Sequence, residues 1–155
     1  MSRNTVLIAA VAVAALLVVV RLLVRTISPK PANLGVTNGR LAECPDSPNC
    51  VSTEANDAEH VIPPLSSDEP PAAAFERLRA IVEAQSGAEL VAATDDYLRF
   101  EFTSRWMGFI DDVEFLLDRD TQAIRFRSAS RLGRSDLGVN RARMEAIRRA
   151  FERGK

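Results

Sequence analysis

The feature that most constrains this chain is an apolar run near its start. Residues 5–24, TVLIAAVAVAALLVVVRLLV, contain only two polar side chains, those of Thr5 and Arg21. A helix of this length spans about 30 Å, the thickness of the hydrocarbon layer of a bilayer. A cleaved signal peptide would have a shorter apolar region and a small-residue cleavage site, and no such site follows here. A cleaved signal or a buried globular helix remains an alternative to an uncleaved anchor. We predict three parts: a transmembrane anchor (1–27), a linker (28–43) and a single domain (44–155).

The charges that flank the apolar run say little about the side on which the domain lies. Arg21, Arg25 and Lys30 slightly outnumber Arg3 and the terminal amine. Positive flanks tend to stay cytoplasmic, which taken alone points the domain inward. Arg21 can snorkel towards water, so this count barely discriminates between the two orientations.

Both cysteines lie in the segment CPDSPNC, residues 44–50. Dithiol exchange motifs have two residues between their cysteines and sit at a helix N-terminus. A zinc site needs four ligands, and Cys44, Cys50 and His60 with Asp46 lack the usual spacing. A disulfide is favoured, and the alternatives are two reduced thiols and a metal or redox site. His60 is expected to be a loop residue. Because disulfides persist in oxidising compartments, we expect a single-pass membrane protein with a periplasmic or otherwise extracytoplasmic domain.

Hydrophobic periodicity after residue 66 predicts an α+β fold. We expect a four-stranded or slightly larger antiparallel sheet with two helices packed on one face. Pairing Thr94 with Tyr97 in the first hairpin puts Val91 on the core face. The predicted elements are a helix over 70–86, strands over 89–94, 97–103, 109–117 and 122–129, and a helix over 139–153.

The second hairpin is predicted to have one apolar and one charged face. If Leu117 faces Gln122, antiparallel pairing sets two oppositely charged pairs opposite each other. These pairs are Glu114 with Arg125 and Asp112 with Arg127.

Charge is divided unevenly between the two parts of the chain. Residues 31–118 carry 5 Arg and 17 Asp plus Glu, a net charge of 5 − 17 = −12, and residues 119–155 carry 11 Arg plus Lys and 4 acids, a net charge of 11 − 4 = +7. We interpret the imbalance as acidic and basic segments that pair within one fold. A basic face for lipid or phosphate is the alternative, and no nucleic-acid partner is expected because no recognition motif accompanies the arginines.

Three long segments resemble a known family. LGVTNGRLAECPDSPNCVSTEA, FIDDVEFLLD and FRSASRLGRSDLGVNRARMEAIRRAF are similar to the family known as domain of unknown function 1499, over about residues 34–152. The resemblance implies a small protein, often with an N-terminal membrane or export segment, and carries no established activity. Arg134 stands where the family pattern has an aromatic residue.

The resemblance suggests ligand-binding candidates in the loop SRLGRSDLGVN. An anion or polar head group could be held at the N-terminus of the last helix with the help of two arginines. The alternative is that Asp136 and Asn140 only cap that helix. The candidates are Ser130, Arg131, Ser135, Asp136, Asn140 and Arg141.

A second candidate is the acidic cluster Asp111, Asp112 and Glu114. Neighbouring carboxylates can perform acid–base chemistry or bind a divalent cation. Cross-strand ion pairs explain two of the three equally well, and we predict no metal and no cofactor.

An apolar segment lies between the two hairpins, where polar residues are expected. Its side chains either pack into the core or form a membrane-facing or ligand-facing lip. They are Phe102, Trp106, Met107, Phe109 and Ile110.

These observations favour a non-enzymatic, membrane-anchored envelope protein that binds a small amphiphile or a protein partner. Its expected partners are the membrane, through residues 5–24, and a lipid-like ligand or an envelope protein. A structural or accessory factor of the envelope and a metal-dependent hydrolase that uses the acidic cluster are the alternatives.

Overall fold

The computed structural model describes residues 2–154, which form three helices and one six-stranded antiparallel sheet. The strand order is β1-β6-β5-β4-β3, and β2 also pairs with β6. The predicted α+β fold with an N-terminal apolar helix is confirmed. The elements are α1 (Arg3–Thr26), β1 (Cys50–Ser52), β2 (Leu65–Ser66), α2 (Pro71–Glu83), β3 (Ala88–Ala93), β4 (Tyr97–Thr103), β5 (Ile110–Asp118), β6 (Ala123–Ser130) and α3 (Val139–Arg153).

Helix α1 contains the apolar run and stands largely apart from the sheet. Ser2 caps it, because its hydroxyl oxygen accepts a hydrogen bond from the backbone N–H of Thr5 at 3.2 Å. Nearly all of its side chains are exposed, and only Val24 is buried. Within residues 2–154 it is the one helix whose length and composition suit a membrane span, a property that a signal sequence shares.

The first hairpin contains a β-bulge that the sequence pattern does not show. Ala93 pairs with Leu98, but the register shifts in the middle of β3, so that Leu90 pairs with Phe100. An extra residue in one strand reverses the alternation of faces on one side of the bulge. Leu90 therefore packs against the core, and the prediction that Val91 does so is wrong.

The turn of the second hairpin lies one residue later in the chain than predicted. Leu117 pairs with Ile124 and not with Gln122, which adopts a left-handed backbone with φ 55°. One oxygen of the Asp118 carboxylate accepts two backbone N–H groups of the turn, both at 3.1 Å. These bonds hold four residues outside the ladder and move the register by two positions.

A slip of two residues keeps every side chain on its predicted face but changes its partner. Glu114 lies opposite Arg127 and not Arg125, and Asp112 lies opposite Ala129 and not Arg127. The two predicted cross-strand pairs are therefore wrong, although the charged face itself is present.

The core lies between one face of the sheet and helices α2 and α3. Three side chains of α3 that recur at helical spacing point inward and are fully or almost fully buried. Two aromatic pairs, with ring centroids 6.3 and 6.2 Å apart, join β4, β5 and β6. The main core residues are Phe75, Leu78 and Val82 of α2, Phe100, Phe115 and Phe126 of the sheet, and Met144, Ile147 and Phe151 of α3.

Two short strands were not predicted. β1 and β2 contain three and two residues, which is too short for an alternating pattern to be read. β1 pairs with the end of β6, where Cys50 lies opposite Ala129. Helix α2 is also shorter than the predicted 70–86, because it ends at Glu83 in a tight turn. The segment with the cysteines is thus part of the sheet edge.

Candidate functional site

The predicted acidic cluster is divided between the two faces of β5, because successive strand residues point in opposite directions. Asp111 lies on the side of α3, where it pairs with Arg143. Asp112 and Glu114 lie on the other side, which we call the charged face. The structure therefore does not bring the three carboxylates together.

Asp112 is the centre of an ion-pair network on the charged face. Arg131 donates to both of its oxygens, at 2.7 and 2.9 Å, and Arg99 donates to it at 3.1 Å. The same two arginines also contact Glu101. The hydrogen bonds to Asp112 raise the pKa of Arg131 above its usual value, although burial opposes this, and Glu101 adds to the increase. The carboxylate and its partners are buried together, so their hydrogen bonds offset the loss of hydration.

Glu114 is fully buried and joins the charged face to the segment that covers it. One of its oxygens accepts the backbone N–H of Gly35 at 2.6 Å and the hydroxyl of Tyr97 at 2.7 Å. The other faces Arg127 at 3.5 Å. Burial, and then the neighbouring Glu114, raise the pKa of Tyr97. Each oxygen of Glu114 therefore already has a protein partner.

The acidic residues do not form a recognisable metal site. Within residues 2–154, no group of three His, Cys, Asp or Glu side chains is arranged to hold a metal ion. Asp111, Asp112 and Glu114 are each paired with an arginine. A metal-dependent hydrolase would need these carboxylates to converge on one point, and in this arrangement the three do not converge.

The two cysteines form a disulfide, as predicted, with an S–S distance of 2.04 Å and a Cα–Cα distance of 5.7 Å. The loop between Cys44 and Cys50 presents the buried Asn49. The Asn49 side-chain amide donates to the carbonyl of Gly133 at 2.7 Å, and the backbone carbonyl of Asn49 accepts the N–H of Ser130 at 3.0 Å. The disulfide-closed loop therefore braces the loop that follows β6.

His60 holds the same disulfide loop from the other side. It lies in a turn and is buried, with Nδ1 2.7 Å from a carboxylate oxygen of Asp57 and Nε2 3.1 Å from the carbonyl oxygen of Ser47. Both partners are acceptors, so the arrangement favours the doubly protonated ring. Burial opposes the charge, but the bonds to Ser47 and Asp57 raise the pKa of His60 above its usual value.

Asn140 is the centre of a buried hydrogen-bond network on the helix side of the sheet. Its side-chain oxygen accepts from the hydroxyl of Ser128 at 2.5 Å and from Arg143 at 2.6 Å. Its amide nitrogen donates to the hydroxyl of Ser130 and to the carbonyl of Asn49, both at 3.0 Å. All four bonding positions of this amide are in use.

Arg143 extends this network to the surface. Its guanidinium donates to Asp111 at 2.5 Å and lies 4.6 Å from the centroid of the Phe102 ring. Arg143 was not among the predicted site residues. Its position three residues after Asn140 on α3 places the two side chains on one helix face, which could have indicated it. We call the connected residues Asp111, Arg143, Asn140, Ser128, Ser130 and Asn49 the polar chain.

The loop before α3 is held by its own side chains. The hydroxyl of Ser135 accepts the N–H of Leu137 at 3.2 Å. The carboxylate of Asp136 accepts the N–H groups of Gly138 at 3.0 Å and Asn140 at 2.7 Å. Asp136 thus satisfies donors at the start of α3, as the capping alternative predicts. Asn140 does not cap the helix, because its side chain belongs to the polar chain.

The anion site that the resemblance suggested is not assembled. Arg131 lies on the charged face with Asp112. Arg141 donates to the backbone carbonyls of Glu59 and Val61, at 2.8 and 3.1 Å. Neither guanidinium bonds at the start of α3, where the carboxylate of Asp136 already accepts backbone N–H groups. Strand alternation places Arg131 and Ser130 on opposite faces of the sheet.

A cavity of about 240 Å³, which we call the cleft, lies between the turn after β4 and the loop before α3. One wall is apolar, and Asp111 and Ser130 of the polar chain supply polar groups. Leu137 at its mouth is 93% exposed and has a left-handed backbone with φ 56°. Non-glycine residues seldom adopt this conformation. The lining residues are Ser104, Phe109, Asp111, Ser130, Leu132, Gly133, Ser135, Asp136, Leu137 and Val139.

A second cavity, of about 520 Å³, adjoins the cleft. The two cavities share Ser104, Asp111 and Val139, and the second also contacts Arg143 and Arg21 of α1. The ion pair of Asp111 with Arg143 therefore lies where the cavities meet. The second cavity also reaches the end of the apolar helix, at Arg21.

The apolar segment between the hairpins has two parts. Phe102 and Ile110 are buried, in agreement with core packing. Trp106, Met107 and Phe109 are exposed, in agreement with the alternative of a lip. We call residues 104–109 the lip, and its Phe109 is also a wall of the cleft.

A family model described as "Protein of unknown function (DUF1499)" matches residues 40–151. The matched region contains the disulfide, the polar chain, the lip and the cleft. No curated protein and no solved structure matches the chain.

Proposed function

Because the chain belongs to the DUF1499 family, whose description assigns no activity, we propose its function from the cleft. The protein is a membrane-anchored, non-enzymatic binding module of the cell envelope, and its ligand is a small amphiphile. Helix α1 stays attached and holds the domain at the bilayer surface, outside the cytoplasm.

The observation that carries this proposal is the exposed position of Leu137 at the mouth of the cleft. A left-handed backbone at a residue with a Cβ costs about 1–2 kcal/mol. Ser135 and Asp136 hold the loop in this form by hydrogen bonds to its N–H groups. An apolar side chain that a braced loop keeps in water is expected where an apolar ligand is bound.

The two cavities together suit a molecule with an apolar and a polar part. Phe109, Leu132 and Leu137 offer apolar contact in the cleft. Asp111 and Arg143 lie at the junction with the second cavity. Within residues 2–154, one carboxylate oxygen of Asp111 has no hydrogen-bond partner, so a hydroxyl or ammonium group can bind it. Ligand sites are mostly apolar, with a few polar groups that fix orientation.

The disulfide supports a location outside the cytoplasm. Disulfides persist in oxidising compartments and are rare where thiols are kept reduced. Here the disulfide closes the loop that braces the cleft through Asn49. A reporter at the C-terminus that is active only outside the cytoplasm would agree with the proposal. Activity only inside would contradict the placement.

The binding proposal is tested with a matched pair of valine substitutions. Val139 lines both cavities and is exposed, and it begins α3, where an acidic residue stabilises the helix. Val61 is similarly exposed but lies outside both cavities. Val139→Asp therefore introduces a charge into the site without harming the fold, and Val61→Asp introduces the same charge elsewhere.

The full chain and both variants are extracted from membranes with their surrounding lipid, purified and analysed by mass spectrometry. We expect one class of amphiphile to be enriched over the bulk lipid in the wild type and in Val61→Asp, and the enrichment to be lost in Val139→Asp. Equal composition in all three proteins, or no enrichment in the wild type, would leave an accessory role without a ligand as the better account.

A further inference from the structure

Exposed apolar side chains are concentrated at the end of the sheet that adjoins α1. Trp106 is 65% exposed, and Met107 and Phe109 are 42% exposed. Leu137 lies across the cleft from Phe109. Single exposed apolar residues are ordinary in proteins, but a contiguous group marks an interaction surface.

The lip is held directly against α1. The guanidinium of Arg21 donates to the backbone carbonyl of Arg105 and, at 3.5 Å, to that of Ser104. Gly108 faces the same residue, because a Cβ built on it would lie 3.4 Å from Cγ of Arg21. Residues 21, 22 and 25 of α1 also line a cavity of about 140 Å³ together with residues of β3, β4 and β5. The lip is therefore placed relative to the helix at the level of Arg21.

The depth of Arg21 in a bilayer follows from helix geometry. The apolar residues 5–20 that precede it span about 24 Å at 1.5 Å per residue, somewhat less than a hydrocarbon layer of about 30 Å. Arg21 thus lies near one boundary of that layer. Its charge is compatible with this depth for two reasons. Carbonyl oxygens of the lip accept hydrogen bonds from its guanidinium, and its long side chain can reach towards water.

We propose that the lip is inserted into the membrane–water interface of the leaflet from which α1 emerges. Tryptophan is enriched at this depth because its ring is apolar and its N–H is polar. Met107, Phe109 and Leu137 then contact the outer part of the acyl chains. Within residues 2–154 the side chains of Arg105 and Arg134 form no ion pair, so they face the head groups and favour anionic lipid.

This inference gives the proposed amphiphile a source. Phe109 and Leu137 belong both to the inserted surface and to the cleft, so the cleft opens towards the leaflet and takes its ligand from the bilayer. Insertion rests, like the proposed function, on an attached α1. It does not require that the cleft binds anything.

Trp106 is the only tryptophan in the chain, so its fluorescence reports on the lip without labelling. The full chain is reconstituted in vesicles of mixed zwitterionic and anionic phospholipid. One series carries bromine atoms on the acyl chains, and another is titrated with aqueous iodide. We expect brominated lipid to quench Trp106 several-fold and iodide to quench it weakly.

The control moves the tryptophan to the opposite end of the sheet. In the double variant Trp106→Phe, Thr121→Trp, the probe lies in the exposed β5–β6 turn. It is about 26 Å from the lip, because eight residue steps of β5 separate the two ends at roughly 3.3 Å each. We expect the reverse pattern there, with strong quenching by iodide and little by brominated lipid.

The inference would be overturned if iodide quenches Trp106 as strongly as it quenches the tryptophan of the control variant and brominated lipid has no effect. If Trp106 is protected in the membrane but the protein enriches no amphiphile, insertion of the lip is supported and the binding proposal is refuted. If an amphiphile is enriched but Trp106 is exposed to water, the binding proposal is supported and insertion of the lip is refuted.

Discussion

Replacing Asn140 with alanine should destabilise the domain strongly. The side chain is fully buried and makes four hydrogen bonds, to Ser128, Arg143, Ser130 and the carbonyl of Asn49. The alanine side chain removes all four hydrogen bonds and leaves the space of the amide group without polar atoms.

The size of the effect depends on which partners keep another bond. The carbonyl of Asn49 still accepts the N–H of Ser130, and Ser128 is still contacted by Arg143. The hydroxyl of Ser130 loses its bond from Asn140, and the guanidinium of Arg143 loses the side-chain oxygen of Asn140 as an acceptor. A net loss of about 1 kcal/mol for the neutral bond of Ser130 and about 1.5–3 kcal/mol for the charged bond of Arg143 gives a total of about 2.5–4 kcal/mol.

Thermal or denaturant unfolding of the full chain in lipid measures this change. For a domain of this size, about 2.5–4 kcal/mol corresponds to a fall in Tm of about 10–16 °C. Asn56→Ala is the matched control, because Asn56 is exposed and surface changes stay within about 0.5 kcal/mol.

The reasoning is refuted if Asn140→Ala lowers the free energy of unfolding no more than Asn56→Ala does. That outcome would mean that the polar chain is not formed as described. It would also remove the support that Asn49 and Ser130 give to the cleft.

Three further changes have defined expectations. Gly87→Ala should destabilise the domain by about 2–4 kcal/mol, because the new Cβ would lie 2.6 Å from a carbonyl oxygen of β4. In the control Gly39→Ala the Cβ meets open space, so only the left-handed backbone preference of about 1 kcal/mol should be lost, and equal falls in Tm would contradict this prediction. Reduction of the disulfide between Cys44 and Cys50 should remove about 2–2.5 kcal/mol, and an unchanged Tm in reductant would be inconsistent with it. Because the pKa of His60 is raised in the folded state, its contribution to the free energy of unfolding is complete below about pH 6.5 and is lost as pH rises through the folded-state pKa. The difference in Tm between wild type and His60→Gln should therefore shrink from acidic to alkaline pH, and a constant difference would contradict this prediction.

The main elements of the fold could be predicted because they are long and strongly periodic. The strands after residue 87 and helix α3 differ from their predicted bounds by one residue or less. The apolar face of α3 is evident from Met144, Ile147 and Phe151 at helical spacing. Periodicity reports which face of an element is buried, so these features are present in the sequence itself.

The register of the second hairpin could not be predicted from the same pattern. A slip of two residues leaves the alternation of faces unchanged, so only the turn decides between the two pairings. The bonds to the Asp118 carboxylate and the left-handed Gln122 place the turn at residues 119–122, one residue later than predicted. Glutamine is an uncommon choice for that backbone, and no glycine marked the position.

The candidate site was predicted in part. Ser130 and Asn140 were selected, and the structure joins them by a hydrogen bond. Arg131 was selected with them but lies on the opposite face of the sheet. Asn49 contacts Asn140 across 91 positions of sequence, and a contact of this kind depends on the packing of β1, β6 and α3, which no local pattern contains.

The most direct test of the account is photo-crosslinking with an amphiphile that carries a diazirine in its acyl chain. The full chain in native membranes is irradiated, digested and mapped by mass spectrometry. We predict adducts in residues 104–109 and 131–139, in addition to α1, and their loss in Val139→Asp but not in Val61→Asp. Adducts confined to α1 would contradict the claim that the cleft binds an amphiphile.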